Sequence, residues 1–269
     1  MNREETLHSE HHINFNEWNR TGICDSLRLI TDFSLTLTTN ILGMKITYLG
    51  HASFSIEAHG KTIIVDPFIT ANELAKKIDI NKLECDYILL THAHGDHILD
   101  VEAIAKRTSA KIISNFEIVT YFQGKGIEGH PMNHGGTWKF DFGKIHMVNA
   151  IHSSAFPDGT YGGNPAGYVL ETTHHLIYIA GDTALTYDMK LIPEMIGRLD
   201  LAILPIGDNF TMGIDSAMVA SDFVKCDKIL GSHYDTFGYI KIDHKKAILK
   251  FAKKKKELML LKIGDHLKL

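Results

Sequence analysis

Four side chains that commonly bind metal ions lie within the six-residue sequence HAHGDH, which begins at His92. Neutral imidazoles and a carboxylate are the ligands that Zn²⁺ and neighbouring first-row metals prefer. In a turn of this kind, His92 and His94 can point toward one position, and Asp96 and His97 toward a second. Gly95 permits the tight backbone conformation between the two pairs. The sequence therefore predicts a metal site; a polar helix N-terminus with Asp96 near the cap is the weaker interpretation.

Three further candidate ligands each follow an apolar stretch of strand character. His152 follows KIHMVNAI, Asp182 follows LIYIAG, and His233 follows ILGS. Each has an ordinary alternative: a loop residue for His152, a helix cap for Asp182 and a surface histidine for His233. Together with the HAHGDH sequence, they are expected to meet at one rim of the fold.

The elements that must position these residues alternate between strands and helices. Period-two apolar patterns and short apolar runs predict strands, longer amphipathic patterns predict helices, and His59-Gly60-Lys61 predicts a hairpin turn. The fold class predicted is α/β (α+β), with two sheets covered by helices in a four-layer αββα sandwich. The predicted strands are 44–50, 54–58, 62–66, 86–90, 111–114, 144–151, 167–172, 176–180, 201–205 and 228–231, and the predicted helices are 100–106, 217–224 and 244–255.

Composition limits the partners and the compartment. A formal net charge of -4 on 269 residues disfavours nucleic acid or an anionic membrane as the partner, and no stretch is long and apolar enough to span a bilayer. A small-molecule substrate is expected, and a homo-oligomer is left open. The three cysteines form no CxxC pair, which favours a reducing cytoplasm over a disulfide framework or a sulfur-ligated zinc.

The first 43 residues differ from the rest of the chain. They show no sustained period, whereas a strand pattern begins at Met44. We predict that residues 1–43 are a dispensable N-terminal extension and that residues 44–269 form a single domain that carries the candidate ligands.

From Met44 to the C-terminus, the chain resembles the metallo-β-lactamase-fold superfamily. Within it, the chain is similar to the UPF0173-like group of small bacterial and archaeal metal-dependent hydrolases. The sequences that carry the resemblance are YLGHASF (48–54), VDPF (65–68), THAHGDH (91–97), His152 with the following Ser153-Ser154, AGDT (180–183), GDNFTMG (207–213) and GSHYDTF (231–237).

The resemblance implies a dinuclear metal centre. By similarity, one ion is held by three histidines, the other by a carboxylate and two histidines, and Asp182 bridges them. A hydroxide between the ions would be the nucleophile, acting on an ester, lactone, thioester or phosphodiester. Zn²⁺ is favoured, with Mn²⁺, Ni²⁺ and Fe²⁺ compatible. The first set is His92, His94 and His152, and the second is Asp96, His97 and His233.

Other residues are assigned roles around this centre. Asp96 and Asp182 can accept and pass protons. His51 resembles a residue beside the metal site that contacts substrate or orients a ligand, although a purely structural histidine is nearly as well supported. Asp66 is expected to orient a ligand histidine, unless it only forms an Asp-Pro turn. Polar loop residues are candidates for substrate contacts, namely Tyr161, Asn164, Asn209 and Thr211.

Three other functions are compatible with the same residues. An iron-dependent oxidoreductase of the same fold usually carries an acidic residue where this chain has His94, together with flavin-binding modules that this chain lacks. A nuclease would need an inserted domain and a less acidic chain. A non-catalytic metal-binding module is disfavoured because structural zinc sites are normally closed and mononuclear.

Overall fold

The computed structural model describes residues 43–269. Residues 1–42, nearly all of the predicted extension, lie outside the described residues, so its dispensability stays a prediction. Fourteen strands form two seven-stranded sheets in the described part of the chain. The first sheet contains β1 (Lys45–Gly50), β2 (Ser53–Ala58), β3 (Lys61–Val65), β4 (Tyr87–Leu89), β5 (Lys111–Asn115), β6 (Gly129–Met132) and β14 (His266–Lys268). The second contains β7 (Thr137–Phe140), β8 (Gly143–Asn149), β9 (Ala166–Glu171), β10 (Leu176–Ile179), β11 (Leu201–Pro205), β12 (Lys228–Ser232) and β13 (Glu257–Met259).

Helices cover the outer faces of both sheets. The α-helices are α1 (Gly95–Ile98), α2 (Val101–Thr108), α3 (Phe116–Gln123), α4 (Leu191–Met195), α5 (Ile214–Phe223) and α6 (His244–Ala252). Short 3-10 turns lie at Glu73–Ala75, Ile80–Lys82, Tyr187–Lys190 and Gly238–Ile240. Among residues 43–269, no helix has the length and apolar character needed to cross a membrane.

Period-two alternation along the strands produces the layers. In β3, Ile63 and Val65 belong to the core that also contains buried residues of the second sheet, whereas Ile64 belongs to a core shared with α2 and α3. Successive side chains of a strand point to opposite faces, so one strand contributes to two cores. Helices α5 and α6 contribute buried residues, such as Ala217 and Phe251, to the larger core. The predicted αββα sandwich is confirmed.

The hairpin between β2 and β3 also follows its prediction. His59 and Gly60 both have positive φ, at 49° and 74°, as the two central residues of the tight hairpin turns that suit twisted strands. Lys61 is the first residue of β3 rather than part of the turn.

Some elements end at other residues than predicted, and some elements were not predicted. The strand predicted at 144–151 ends at Asn149, and the helix predicted at 244–255 ends at Ala252. Helix α3 was not predicted because its sequence FEIVTYFQ is rich in aromatic and β-branched residues, which favour strands. Asn115, the residue before the helix, caps its N-terminus, because the Asn115 side chain accepts a hydrogen bond from the Ile118 N–H.

Candidate metal centre

The direction of the strands brings the predicted ligands to one rim. In the second sheet, β8 and β10 are each antiparallel to β9, while β10, β11 and β12 are mutually parallel. Strands β8, β10 and β12 therefore end at the same edge, where His152, Asp182 and His233 follow them. In the first sheet, β3 and β4 are parallel, and Asp66 and His92 follow their carboxyl ends.

His92, His94 and His152 form the first group of candidate ligands. One ring nitrogen of each lies within 4.8 Å of the others. His92 Nε2 lies 2.9 Å from His94 Nδ1, while His92 Nδ1 lies 3.0 Å from the Thr91 hydroxyl. The contact with Thr91 fixes the ring so that its second nitrogen faces the group.

Asp96, His97 and His233 form a second group, together with His51. His94 lies at the N-cap of α1, which places Asp96 and His97 in the first turn of that helix. His233 Nε2 lies 3.8 Å from Asp96 Oδ2. The ligand-type atoms of this group also lie within 4.8 Å of one another. The HAHGDH sequence is thus divided between two clusters, as the spacing predicts.

Asp182 contacts histidines of both groups. Its Oδ2 atom lies 3.0 Å from His233 Nε2 and 3.5 Å from His97 Nε2, both in the second group. The same atom lies 3.6 Å from His152 Nε2 in the first group. The structure thus brings all seven predicted ligands together. Asp182 is not a helix cap, because the following 3-10 turn begins at Tyr187 with Thr186 as its cap. The surface alternative for His233 is also wrong, since this residue is buried.

The electrostatics of the site suit a cation. Burial disfavours charge on His97 and His233, yet nearby carboxylates outweigh this effect. Asp182 and Asp66 raise the pKa of His97 well above its ordinary value, and Asp182 raises that of His233 to about 9. The carboxylates therefore stabilise positive charge among these imidazoles, and a divalent cation is such a charge.

Unpaired atoms and the donor chemistry also fit metal ions. His97 Nε2 and Asp182 Oδ1 are buried without a hydrogen-bond partner. Burying a polar atom unpaired costs about 1–3 kcal/mol, so such atoms call for an additional partner. Imidazoles and carboxylates converge here without a thiolate, which suits zinc and neighbouring first-row metals. The residues present thus fit the metal ions that the resemblance implies.

The backbone around the centre is held in conformations that non-glycine residues rarely adopt. His51, Asp66 and His233 have φ values of 55°, 42° and 54°. Such strain costs about 1–3 kcal/mol per residue and is concentrated at functional sites. Gly207 allows close approach: a Cβ atom there would lie 2.1 Å from the carbonyl oxygen of His233.

His51 and Asp66 lie behind the ligands rather than in the cavity. His51 is buried, with Nε2 3.1 Å from Asp96 Oδ2 and Nδ1 3.0 Å from the Thr236 hydroxyl. Burial lowers the pKa of His51 to about 4, which keeps its ring neutral. Asp66 Oδ2 lies 2.9 Å from His97 Nδ1. These contacts match the orienting roles expected of both residues.

A cavity of about 790 Å³ opens beside the centre. The predicted substrate contacts Tyr161, Asn164, Asn209 and Thr211 do not line it. Tyr161 instead donates a hydrogen bond to Asn164 Oδ1 at 3.0 Å. Phe210 and Phe237, aromatic residues of the sequences GDNFTMG and GSHYDTF, line the cavity instead. The lining is His94, Asp96, His152, Ser153, Asp182, Phe210, His233, Thr236, Phe237, Gly238 and Tyr239.

The two-sheet sandwich and its histidine-rich rim define the class of metallo-β-lactamase-fold proteins. Residues 45–233 match the beta-lactamase superfamily domain, so the chain belongs to this family. A UPF0173 metal-dependent hydrolase of Flavobacterium johnsoniae is 68% identical over 226 residues, covering 84% of this chain and 100% of the relative. One from Thermus thermophilus is 45% identical over 227 residues, covering 84% and 99%. The chain is accordingly a metal-dependent hydrolase of this superfamily.

A solved structure agrees with this assignment. Igni18, a metallo hydrolase from Ignicoccus hospitalis, is similar with a TM-score of 0.77 and 33% sequence identity. The similarity covers 84% of this chain and 98% of that protein. The structural similarity therefore extends over nearly the whole length of that protein.

Proposed function

We propose that this hydrolase works with two metal ions and activates water at a dinuclear centre. His92, His94 and His152 would hold one ion, and Asp96, His97 and His233 the other. Asp182 would contact both. When bound, such ions would lower the pKa of a water from 15.7 to about 7 and polarise the oxygen of the scissile bond.

The position of Asp182 is the observation that carries the proposal. A mononuclear site would need one cluster of three or four ligands, whereas Asp182 Oδ2 lies against imidazoles of two clusters, 3.0 Å from His233 and 3.6 Å from His152. A carboxylate can bind two ions through its two oxygens. Asp182 Oδ1 has no hydrogen-bond partner, which leaves it available for this role.

The remaining residues serve orientation and proton transfer. Asp96 lines the cavity and can accept a proton at a carboxylate oxygen from an attacking water. His51 Nε2 donates a hydrogen bond to Asp96 Oδ2 and holds that carboxylate in place. Asp66 accepts from His97 Nδ1 and directs His97 Nε2 into the centre.

Zn²⁺ is the ion that we favour, because the donors are imidazoles and carboxylates; Mn²⁺, Ni²⁺ and Fe²⁺ suit the same set. A small-molecule substrate fits a cavity of about 790 Å³. The cytoplasmic location, the absence of a nucleic-acid or membrane partner, and the question of a homo-oligomer stay as predictions from the sequence.

Metal analysis of the purified full-length chain, combined with assays on esters, thioesters, lactones and phosphodiesters, tests the proposal. We expect zinc or a neighbouring first-row metal together with hydrolysis of at least one class. His152→Ala should lower metal content and turnover. His146→Ala is the matched control, since His146 is a half-buried histidine of β8 whose Nε2 contacts Glu171 at 2.7 Å. One tightly held iron without hydrolysis would instead favour an oxidoreductase.

A further inference from the structure

The cavity beside the metal centre has an aromatic part. Besides the candidate ligands, Phe210, Phe237 and Tyr239 line it. Phe237 is anchored, with its ring centroid 5.3 Å from that of His51 and 6.1 Å from that of Phe68. The metal centre and the aromatic rings thus share one cavity, so a substrate at the centre must lie close to these rings.

Phe210 and Tyr239 are the exposed members of this aromatic set. Phe210 is 50% exposed and Tyr239 is 79% exposed. Their rings lie 6.2 Å apart in an edge-to-face arrangement, although the residues come from different loops. Grouped exposed apolar side chains beside a cavity are characteristic of binding surfaces, because they gain free energy only when something covers them.

The loop that carries Phe210 is held in a defined conformation. Asp208 and Asn209 adopt positive φ values of 64° and 57°, and the Asp208 N–H donates to the Met212 carbonyl at 3.1 Å. A bridge between Gly207 and Gly213 closes its base.

The loop that carries Tyr239 is closed in a comparable way. The Asp235 N–H donates to the Ile240 carbonyl at 2.8 Å, and Asp235 Oδ1 accepts from the Ile242 N–H at 3.1 Å. Both loops are therefore fixed by hydrogen bonds, and this fixed backbone places Phe210 and Tyr239 beside the cavity.

Apart from the metal ions proposed at the centre, the cavity, in the part of the chain that the structure describes, offers no positively charged group to an anionic part of a substrate. Within residues 43–269, no lysine or arginine lines it, whereas Asp96 and Asp182 do. Enzymes that bind phosphoryl groups commonly use arginine or lysine side chains to neutralise the phosphate charge. Away from the candidate ligands, the described lining includes the aromatic rings of Phe210, Phe237 and Tyr239, which suits an uncharged, apolar group next to the scissile bond.

We propose that the substrates are neutral carboxylic esters, open-chain or lactone, and that Phe210 and Tyr239 bind their apolar acyl group. This inference rests on the proposed hydrolytic function. In the reaction, water adds to the carbonyl carbon and the bond to the leaving oxygen breaks. The products are a carboxylate, an alcohol and one proton, or, from a lactone, a single hydroxycarboxylate and one proton.

Three substrates with the same leaving group test the inference on the metal-loaded full-length protein: p-nitrophenyl acetate, p-nitrophenyl hexanoate and bis(p-nitrophenyl) phosphate. Hexanoate has four more methylenes than acetate, so partial burial against the rings should raise kcat/KM by at least about tenfold. We expect Phe210→Ala and Tyr239→Ala each to reduce this preference severalfold. Phe210→Leu, which keeps an apolar side chain, should retain most of it.

Trp138→Ala is the matched control, because Trp138 is 53% exposed and does not line the cavity. This variant should keep both the activity and the hexanoate preference. Faster hydrolysis of the phosphodiester than of both esters would overturn the inference and leave the hydrolytic function standing. An unchanged preference in both alanine variants would overturn the role of the two rings. A metal-loaded, folded protein that cleaves none of the three substrates would contradict the inference and the proposed function together.

Discussion

Asp66 Oδ2 lies 2.9 Å from His97 Nδ1, and both side chains are buried. The same carboxylate accepts hydrogen bonds from the N–H and hydroxyl of Thr91 at 2.8 and 2.6 Å. Thr91 in turn contacts His92. One carboxylate behind the centre therefore orients one candidate ligand directly and a second through Thr91, so the arrangement of the ligands depends on a residue outside the seven predicted ligands.

Replacing this carboxylate should weaken metal binding. In Asp66→Asn one acceptor oxygen becomes an amide nitrogen, so either His97 or Thr91 loses its acceptor. We expect metal affinity to fall by about 10–100-fold, as is usual when a group that orients a ligand is removed. Competition with a chromophoric chelator measures the affinity.

Asp100→Asn is the control for this variant. Asp100 is also buried and accepts hydrogen bonds from the N–H groups of Ile69 and Thr70 at 2.6 and 3.0 Å, but it contacts no candidate ligand. Its replacement should lower the free energy of unfolding and leave the metal affinity of the folded protein unchanged. Equal losses of metal affinity in the two variants would refute the orienting role of Asp66.

A methyl group at position 207 should displace a candidate ligand. The added Cβ of Gly207→Ala would lie 2.1 Å from the His233 carbonyl oxygen and 2.9 Å from Ile240 Cβ. The chain must shift, at a cost of about 1–3 kcal/mol, and His233 must move with it. Thermal unfolding and metal content should both fall. Gly238→Ala serves as control, because an added Cβ there meets no atom within 4 Å. A Gly207→Ala protein with normal melting temperature and metal content would contradict the close approach.

Cys85 should make stability depend on pH in the alkaline range. Burial raises the pKa of its thiol from 9.0 to about 12. Between these values the unfolded chain releases a proton that the folded protein retains, so the free energy of unfolding falls as pH rises. The loss attributable to this thiol between pH 8 and 10 is about 1.4 kcal/mol. Urea unfolding in the presence of chelator should show this extra loss in the wild type but not in Cys85→Ala; parallel losses would contradict it.

The domain from Met44 onward should fold without the preceding residues. Its first strand pairs with β2 and β14, and Met44 and Leu269 exchange backbone hydrogen bonds at 3.3 and 2.9 Å. Deleting residues 1–43 is expected to leave solubility, melting temperature and metal content unchanged. Loss of soluble folding or of metal would show that those residues belong to the domain.

The sequence predicted most of the fold and the candidate ligands for one physical reason. Ligands that follow buried strands lie at the edge where parallel strands end, so His92 and His233 could be placed near each other although they are far apart in the chain. Period-two patterns and short apolar runs located the central strands, because these strands are buried on one or both faces.

The strands and contacts that the sequence did not predict have no such local signal in the sequence. Strands β13 and β14 have only three residues each, which is too short for a periodic pattern. The pairing of Phe210 with Tyr239 was not predicted, since the two residues approach each other only through two loops that tertiary contacts fix. The contact of His51 with Asp96 likewise joins the turn between β1 and β2 to helix α1.

The number of metal ions per chain tests the central claim most directly. Elemental analysis of the protein reconstituted with Zn²⁺ should give two ions per chain for the wild type. In Asp182→Ala, the loss of the carboxylate between the two clusters should reduce this number to one or fewer and abolish turnover. One ion per chain in the wild type, or two ions with full turnover in Asp182→Ala, would contradict the dinuclear centre.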